Sequence, residues 1–141
     1  MSEINWTALQ QAAQQAAAQA YAPYSKFPVG VAILADSGKI YTGCNVENAS
    51  YGGTVCAERN AIGAAVVAGE RKFTALMVYT PQQMLTPPCG ICRQVIAEFF
   101  SPNAPIASCN HLHQQQNWSL GELLPAAFTP TYLANSTKVG A

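Results

Sequence analysis

TVCAERNAIGAAVVAGERKFTALMVYTPQQMLTPPCGICRQVIAEFFSPNAPIASC, residues 54–109, decides the fold. Its opening stretch, 54–70, is Ala, Gly, Ile and Val nearly all round and is closed by Gly69, which predicts a buried, closely packed helix. ALMVYT (75–80) follows as a short apolar strand stopped by Pro81. Residues 87–100 predict a second helix, with proline just before its start, the end of a helix that tolerates it. PIASC (105–109) supplies another strand. Helices alternating with apolar strands predict an α/β domain, a sheet with helices packed on it.

Outward from this unit, NWTALQQAAQQAAAQAY (5–21) has helix-forming composition without Gly or Pro, with Trp6, Leu9, Ala13, Ala16 and Ala20 along one side. It ends before Pro23, because the residue preceding a proline avoids the helical region. VGVAILA (29–35) and KIYTGCNVE (39–47) read as two strands joined by a turn at Asp36-Ser37-Gly38. NHLHQQQN (110–117) reads as a surface loop, SLGELLPAAF (119–128) as a short helix plus tail, and 131–141 as a loose C-terminal tail.

Composition narrows the function. The 141 residues carry seven Lys plus Arg against seven Asp plus Glu, a net charge of zero and a pI near 6.7. That balance excludes the basic face a polynucleotide partner demands. Half the chain is hydrophobic, too much for disorder, yet no apolar run reaches the roughly 18 residues of a membrane span. The start, MSEINWTALQQ, has neither the basic nor the apolar part of a signal peptide, so a cytoplasmic location is expected. Only 10% of residues are charged, against about 25% in ordinary soluble domains, which points to surface buried against further copies of the chain.

Five cysteines, an odd number, favour metal binding or a reactive thiol over a disulfide framework. Cys56 opens the 54–70 helix; Cys89 and Cys92 open the next as C-x-x-C, on one first turn. Helix starts stabilise thiolate, and soft thiolates select zinc. Three evident ligands leave a fourth position for water, as in a catalytic site; His111, His113, Cys44 and Cys109 are the residues that would close it into a structural one. Glu58 is placed for proton transfer, with a helix-start carboxylate as its plainer reading. Arg59 and Arg93, each next to a cysteine, are the candidates to offset thiolate charge; a surface ion pair is the alternative for Arg93.

Cys56-Ala57-Glu58 and Pro88-Cys89-Gly90-Ile91-Cys92 resemble the signature of zinc nucleoside deaminases, whose mechanism is well characterised. With Phe27-Pro28-Val29-Gly30 and the run from Gly43 to Tyr51 (GCNVENASY), the chain is similar, from about Tyr21 to Pro130, to the small cytidine deaminases. The resemblance implies one three-layer domain over 1–141, with a mixed central sheet and helices on both faces. It implies one zinc per chain on Cys56, Cys89 and Cys92, with Glu58 as proton shuttle; Arg59, inside an otherwise apolar helix, reads from its own position as a partner beside the ligands. Cytidine and deoxycytidine would be hydrolysed to uridine and deoxyuridine with release of ammonia, a pyrimidine-salvage reaction; another aminated heterocycle is the rival substrate. Phe27 and Ala57 would line the pyrimidine pocket, and Asn45 and Glu47 would hold the ribose. A homotetramer is implied, with Tyr51 and Phe128 acting across subunits; Phe128-Thr129-Pro130 stands where relatives commonly read F-G-P. Cys44 and Cys109 match no ligand position and read as small buried apolar residues.

Overall fold

A computed structural model describes residues 3–139. In chain order the elements are α1 (Trp6–Ala17), β1 (Gly30–Ala35), β2 (Ile40–Cys44), a 3-10 turn (Tyr51–Gly53), α2 (Ala57–Val67), β3 (Phe73–Thr80), α3 (Gly90–Phe99), β4 (Pro105–Asn110), β5 (Gln115–Ser119), α4 (Leu120–Leu123) and α5 (Pro130–Val139). The five strands form one sheet in the order β2-β1-β3-β4-β5. Both faces are covered, which is why β1 and β3 are continuous apolar runs rather than alternating ones. On one face Val31, Ile33, Leu76, Val78 and Ile106 pack with Ala57, Ala61, Ala65 and Ile96 of α2 and α3. On the other, Ala32, Ala75, Met77 and Ala107 meet Leu9, Ala13 and Ala17 of α1. The expected three-layer arrangement with a mixed sheet is therefore present.

Strand direction positions everything else. β1 runs antiparallel to both β2 and β3, and β3 runs parallel to β4, so β2, β3 and β4 all point the same way. The chain leaves β2 to enter α2 and leaves β3 to enter α3, so both helices begin at the same edge of the sheet. Gly43 fixes how closely α2 lies on β2. A Cβ there would stand 2.4 Å from the Ala61 amide nitrogen and 2.6 Å from the Ala57 carbonyl oxygen, contacts no side chain tolerates.

Three expectations change. The 110–117 stretch is not a surface loop throughout: it turns at His113 (φ 62°) and returns as β5, pairing antiparallel with β4 from Cys109↔Gln115 to Pro105↔Ser119. QQNWS lacks β-branched residues, so its strand character comes from the neighbouring strand and from Trp118 packing on the core. Residues 131–139 of the expected loose tail lie in a helix, α5, which begins at Pro130, a residue pre-set for a first helical turn. The last residues of the 39–47 run leave the ladder after Cys44; Val46 instead bridges Tyr21 and Val55. Among the described residues, no helix is long and apolar enough to cross a membrane.

Candidate metal centre

Cys56 is the N-cap of α2 and Cys89 the N-cap of α3, both with extended backbone and neither side chain capping its own helix. Cysteine is a poor cap, so the first N–H groups stay available and the sulfurs turn to each other. Cys92, buried in the first turn of α3, completes the group: the three sulfurs lie within 4.8 Å of one another. Zn–S bonds of about 2.3 Å in tetrahedral array set sulfurs about 3.8 Å apart. Cys56 Sγ and Cys89 Sγ are 3.9 Å apart, so the donors fit one zinc in both type and spacing. Burial pushes the Cys56 and Cys92 thiols up. Burial also raises Cys89, but hydrogen bonds from the Cys92 backbone and from the Cys92 and Cys56 thiols outweigh it and leave Cys89 lowered.

Glu58, 5% exposed, sits in the first turn of α2. Burial pushes its carboxyl above the ordinary range, against hydrogen bonding to its own backbone N–H and the Arg59 charge. A carboxyl moved towards neutrality is suited to taking up and giving back a proton. The Arg59 guanidinium donates to Cys56 Sγ (3.9 Å) and to the Thr54 carbonyl (3.3 Å), bringing positive charge to the sulfurs, while its buried Nε has no partner among the described residues. The guanidinium of Arg93, the other candidate, is held by backbone carbonyls. It donates to the Pro88 and Leu123 carbonyls (2.8 and 2.9 Å), tying the start of α3 to the end of α4. His111 and His113 are exposed and outside the cysteine cluster, so among the described residues no fourth ligand closes it. Cys109 is buried, its thiol pushed up to about 12, while Cys44 is only half-buried, short of the full burial expected of it.

A cavity of about 470 Å³, in the range that holds a small molecule, opens over these groups. Its wall includes Phe27, Asn45, Glu47, Ala57, Glu58 and two of the sulfurs, Cys56 and Cys89. Asn45 frames it: its Oδ1 accepts from the Val29 N–H (2.9 Å) and its Nδ2 donates to the Phe27 carbonyl (2.9 Å), leaving one amide N–H uncommitted among the described residues. Tyr51, 77% exposed, lies outside this cavity in an adjoining hollow with Tyr24, Ser25, Glu47 and Thr54. Phe128, 58% exposed, is likewise not on the wall; its ring stacks on Tyr132 and its carbonyl accepts from Gln94.

Sequence reasoning passed over several residues that shape the site. Thr86 and Pro87 form part of the cavity wall. Fully buried Ser108 holds that wall by accepting from the Thr86 N–H (3.1 Å) and donating to its carbonyl (2.8 Å); Asn110 donates to the Gln83 carbonyl (3.0 Å). Asn60 donates to the Cys44 carbonyl (2.8 Å), fastening α2 to the end of β2. The signal available was polarity out of place: Ser108 in the apolar strand PIASC and Asn60 in an apolar helix.

The profile of the cytidine and deoxycytidylate deaminase zinc-binding region matches residues 5–107. A cytidine deaminase of Sporosarcina psychrophila is 48% identical over 125 residues, covering 89% of this chain and 92% of that one. The crystal structure of cytidine deaminase from Burkholderia pseudomallei superposes with a TM-score of 0.84 at 44% identity, covering 89% of this chain and 100% of that one. That from Mycobacterium tuberculosis gives 0.79 at 42%, covering 89% and 98%. A profile match over most of the chain, relatives that align nearly end to end and a sulfur triad spaced for zinc agree, and the chain belongs to the cytidine and deoxycytidylate deaminase family of zinc-dependent enzymes.

Proposed function

We propose that the chain hydrolyses cytidine and deoxycytidine to uridine and deoxyuridine, releasing ammonia in pyrimidine salvage. One observation carries this: Glu58 and two of the zinc-spaced sulfurs, Cys56 and Cys89, share a cavity with Asn45 and Glu47, a proton carrier beside a polar grip for a sugar. Zinc, when held by Cys56, Cys89 and Cys92, supplies an open position at which a water becomes acidic enough to react near neutral pH. Glu58 takes a proton from a water and delivers it to ring nitrogen 3 as the water oxygen bonds to carbon 4; it then carries the remaining proton of that oxygen to the amine, so the bond from carbon 4 to nitrogen breaks and ammonia leaves. Phe27 lines the pyrimidine pocket and Ala57, fully buried at the head of α2, forms its floor. The uncommitted N–H of Asn45 and an oxygen of Glu47 receive the ribose 3′-hydroxyl. Arg59 moderates the charge of three thiolates.

The active form is a homotetramer in which a neighbouring copy supplies Tyr51 and Phe128. Their exposure, and their places outside the cavity of their own chain, support that role. So do the low overall charge and the exposed Ile91, Met84 and Tyr132. No nucleic acid or membrane partner is involved, and a cytoplasmic setting suits five free cysteines. Measuring zinc per chain together with ammonia release from cytidine tests the whole reading. One zinc and steady ammonia release are expected; a zinc-loaded protein inert towards cytidine and deoxycytidine overturns it.

A further inference from the structure

We infer that Ser25 is a positioning residue for substrate binding: its hydroxyl orients the Glu47 carboxylate and so sets how tightly the site grips the sugar. The inference rests on Glu47 being the sugar's acceptor, as proposed above. Glu47 Oε1 accepts from the backbone N–H groups of Tyr24 (3.0 Å) and Ser25 (3.1 Å), and Oε2 accepts from the Ser25 hydroxyl. An ionised carboxylate offers about four acceptor positions, so three are taken and one is left for a ligand. The same Ser25 oxygen accepts from the Phe27 N–H (3.0 Å), so a single hydroxyl links the sugar's acceptor to the aromatic wall of the base pocket.

The division of labour is what separates positioning from mere structure. Two backbone N–H groups already hold Oε1 and do not depend on the side chain at position 25. Of the two Glu47 oxygens the hydroxyl acts on Oε2 alone, so its removal leaves Oε1 held, frees one carboxylate oxygen and releases the Phe27 N–H. The backbone shows that this placement is maintained at a cost. Lys26, directly after Ser25, has φ 58°, the left-handed region that residues with a Cβ avoid, and its N–H is held by the Ala22 carbonyl (3.1 Å). Ser25 and Glu47 line both the main cavity and the adjoining hollow, so the hydrogen-bonded pair stands where a sugar spanning the two would lie. Hydrogen bonds to the charged form also hold the Glu47 carboxyl below its ordinary range, keeping it an acceptor.

The test uses zinc-loaded Ser25→Ala, Ser25→Thr and Glu47→Gln enzymes. Each is assayed with deoxycytidine and with two competitive inhibitors, deoxyuridine and 2′,3′-dideoxyuridine, which differ only in the 3′-hydroxyl. Ser25→Ala is expected to raise KM about tenfold with kcat within about twofold, the loss of one charge-assisted hydrogen bond's orientation. Its inhibition constant should weaken by a similar factor for deoxyuridine and stay level for the dideoxy analogue, while Ser25→Thr keeps the parent values. Equal weakening towards both inhibitors, or a kcat loss at constant KM, overturns the role of Ser25. If Glu47→Gln also treats the two inhibitors alike, the assignment of Glu47 to the sugar falls with it. If Glu47→Gln separates them and Ser25→Ala does not, only the Ser25 inference fails.

Discussion

Two kinds of helix start stand side by side in this molecule. α1 and α4 are sealed: Asn5 Oδ1 accepts from the Ala8 N–H (3.0 Å), and Ser119 and Glu122 form a reciprocal capping box across the first turn of α4. α2 and α3 begin with cysteines that seal nothing and face each other instead. A capped start is a local solution, complete within four residues. An uncapped one leaves polar groups and a positive dipole end without a partner inside the helix, and two such starts at one sheet edge make a place for an anionic sulfur centre. The contrast identifies the working end of the protein without reference to any cavity.

The sharpest way to break the contrast is at Glu58, in the first turn of an uncapped start. Glu58→Gln keeps the side chain's size and should keep zinc and fold, yet lower ammonia release from cytidine about 10²–10⁴-fold. Parent-like turnover in that variant would remove the proton-transfer role. Cys89→Ser tests the trade directly, since serine is a good cap and a poor zinc ligand. Zinc content should drop well below one per chain, while the metal-free variant should melt higher than the metal-free parent by about 0.5–2 kcal/mol of stability. A metal-free variant no more stable than the parent would mean the start of α3 is not left open.

Smaller effects belong to the sealed starts. Ser119→Ala and Asn5→Ala should each lose about 1 kcal/mol in a denaturant titration, with zinc content and kcat unchanged. Loss of zinc in either would erase the distinction between the two kinds. The smallest effect lies beyond the far end of α2. Hydrogen bonds from the Ser37 hydroxyl (2.6 Å) and the Tyr41 hydroxyl (2.8 Å) hold the Glu70 carboxyl below its ordinary 4.5, the opposite of buried Glu58. A folded-state pKa below the unfolded one gives stability that is full above pH 4.5 and is lost as pH falls through the depressed value. Glu70→Gln should therefore flatten the acid limb of a melting-temperature profile slightly, and an unchanged limb would deny the carboxylate that role.

Legibility from sequence follows the range of the forces involved. The apolar strands and the helix of Ala and Gln are set by composition over short windows, and they stand close to where the pattern puts them; the helix ends at Ala17, ahead of Tyr21, and the 39–47 run leaves the sheet after Cys44. The cysteines are legible because i, i+3 spacing at a helix start fixes two sulfurs on one turn. β5 is not, because QQNWS has no strand preference of its own and becomes a strand by pairing with β4. The contacts of Arg93 are hidden for a related reason: adjacency to Cys92 in sequence says nothing about the Leu123 carbonyl that its side chain reaches. Ser25 acts on a side-chain carboxylate, and Ser108 and Asn60 on backbone groups, 16 to 22 residues away, and no local pattern encodes such contacts.

The direction of β2 and β3 also decides what a metal would join. Cys89 and Cys92 belong to one turn, whereas Cys56 lies 33 residues earlier and meets them because both strands lead into their helices at one edge of the sheet. Metal held by the pair alone would touch one helix; metal held by all three would clasp two. Resistance to a chelator is therefore expected to report whether the two helix starts have met.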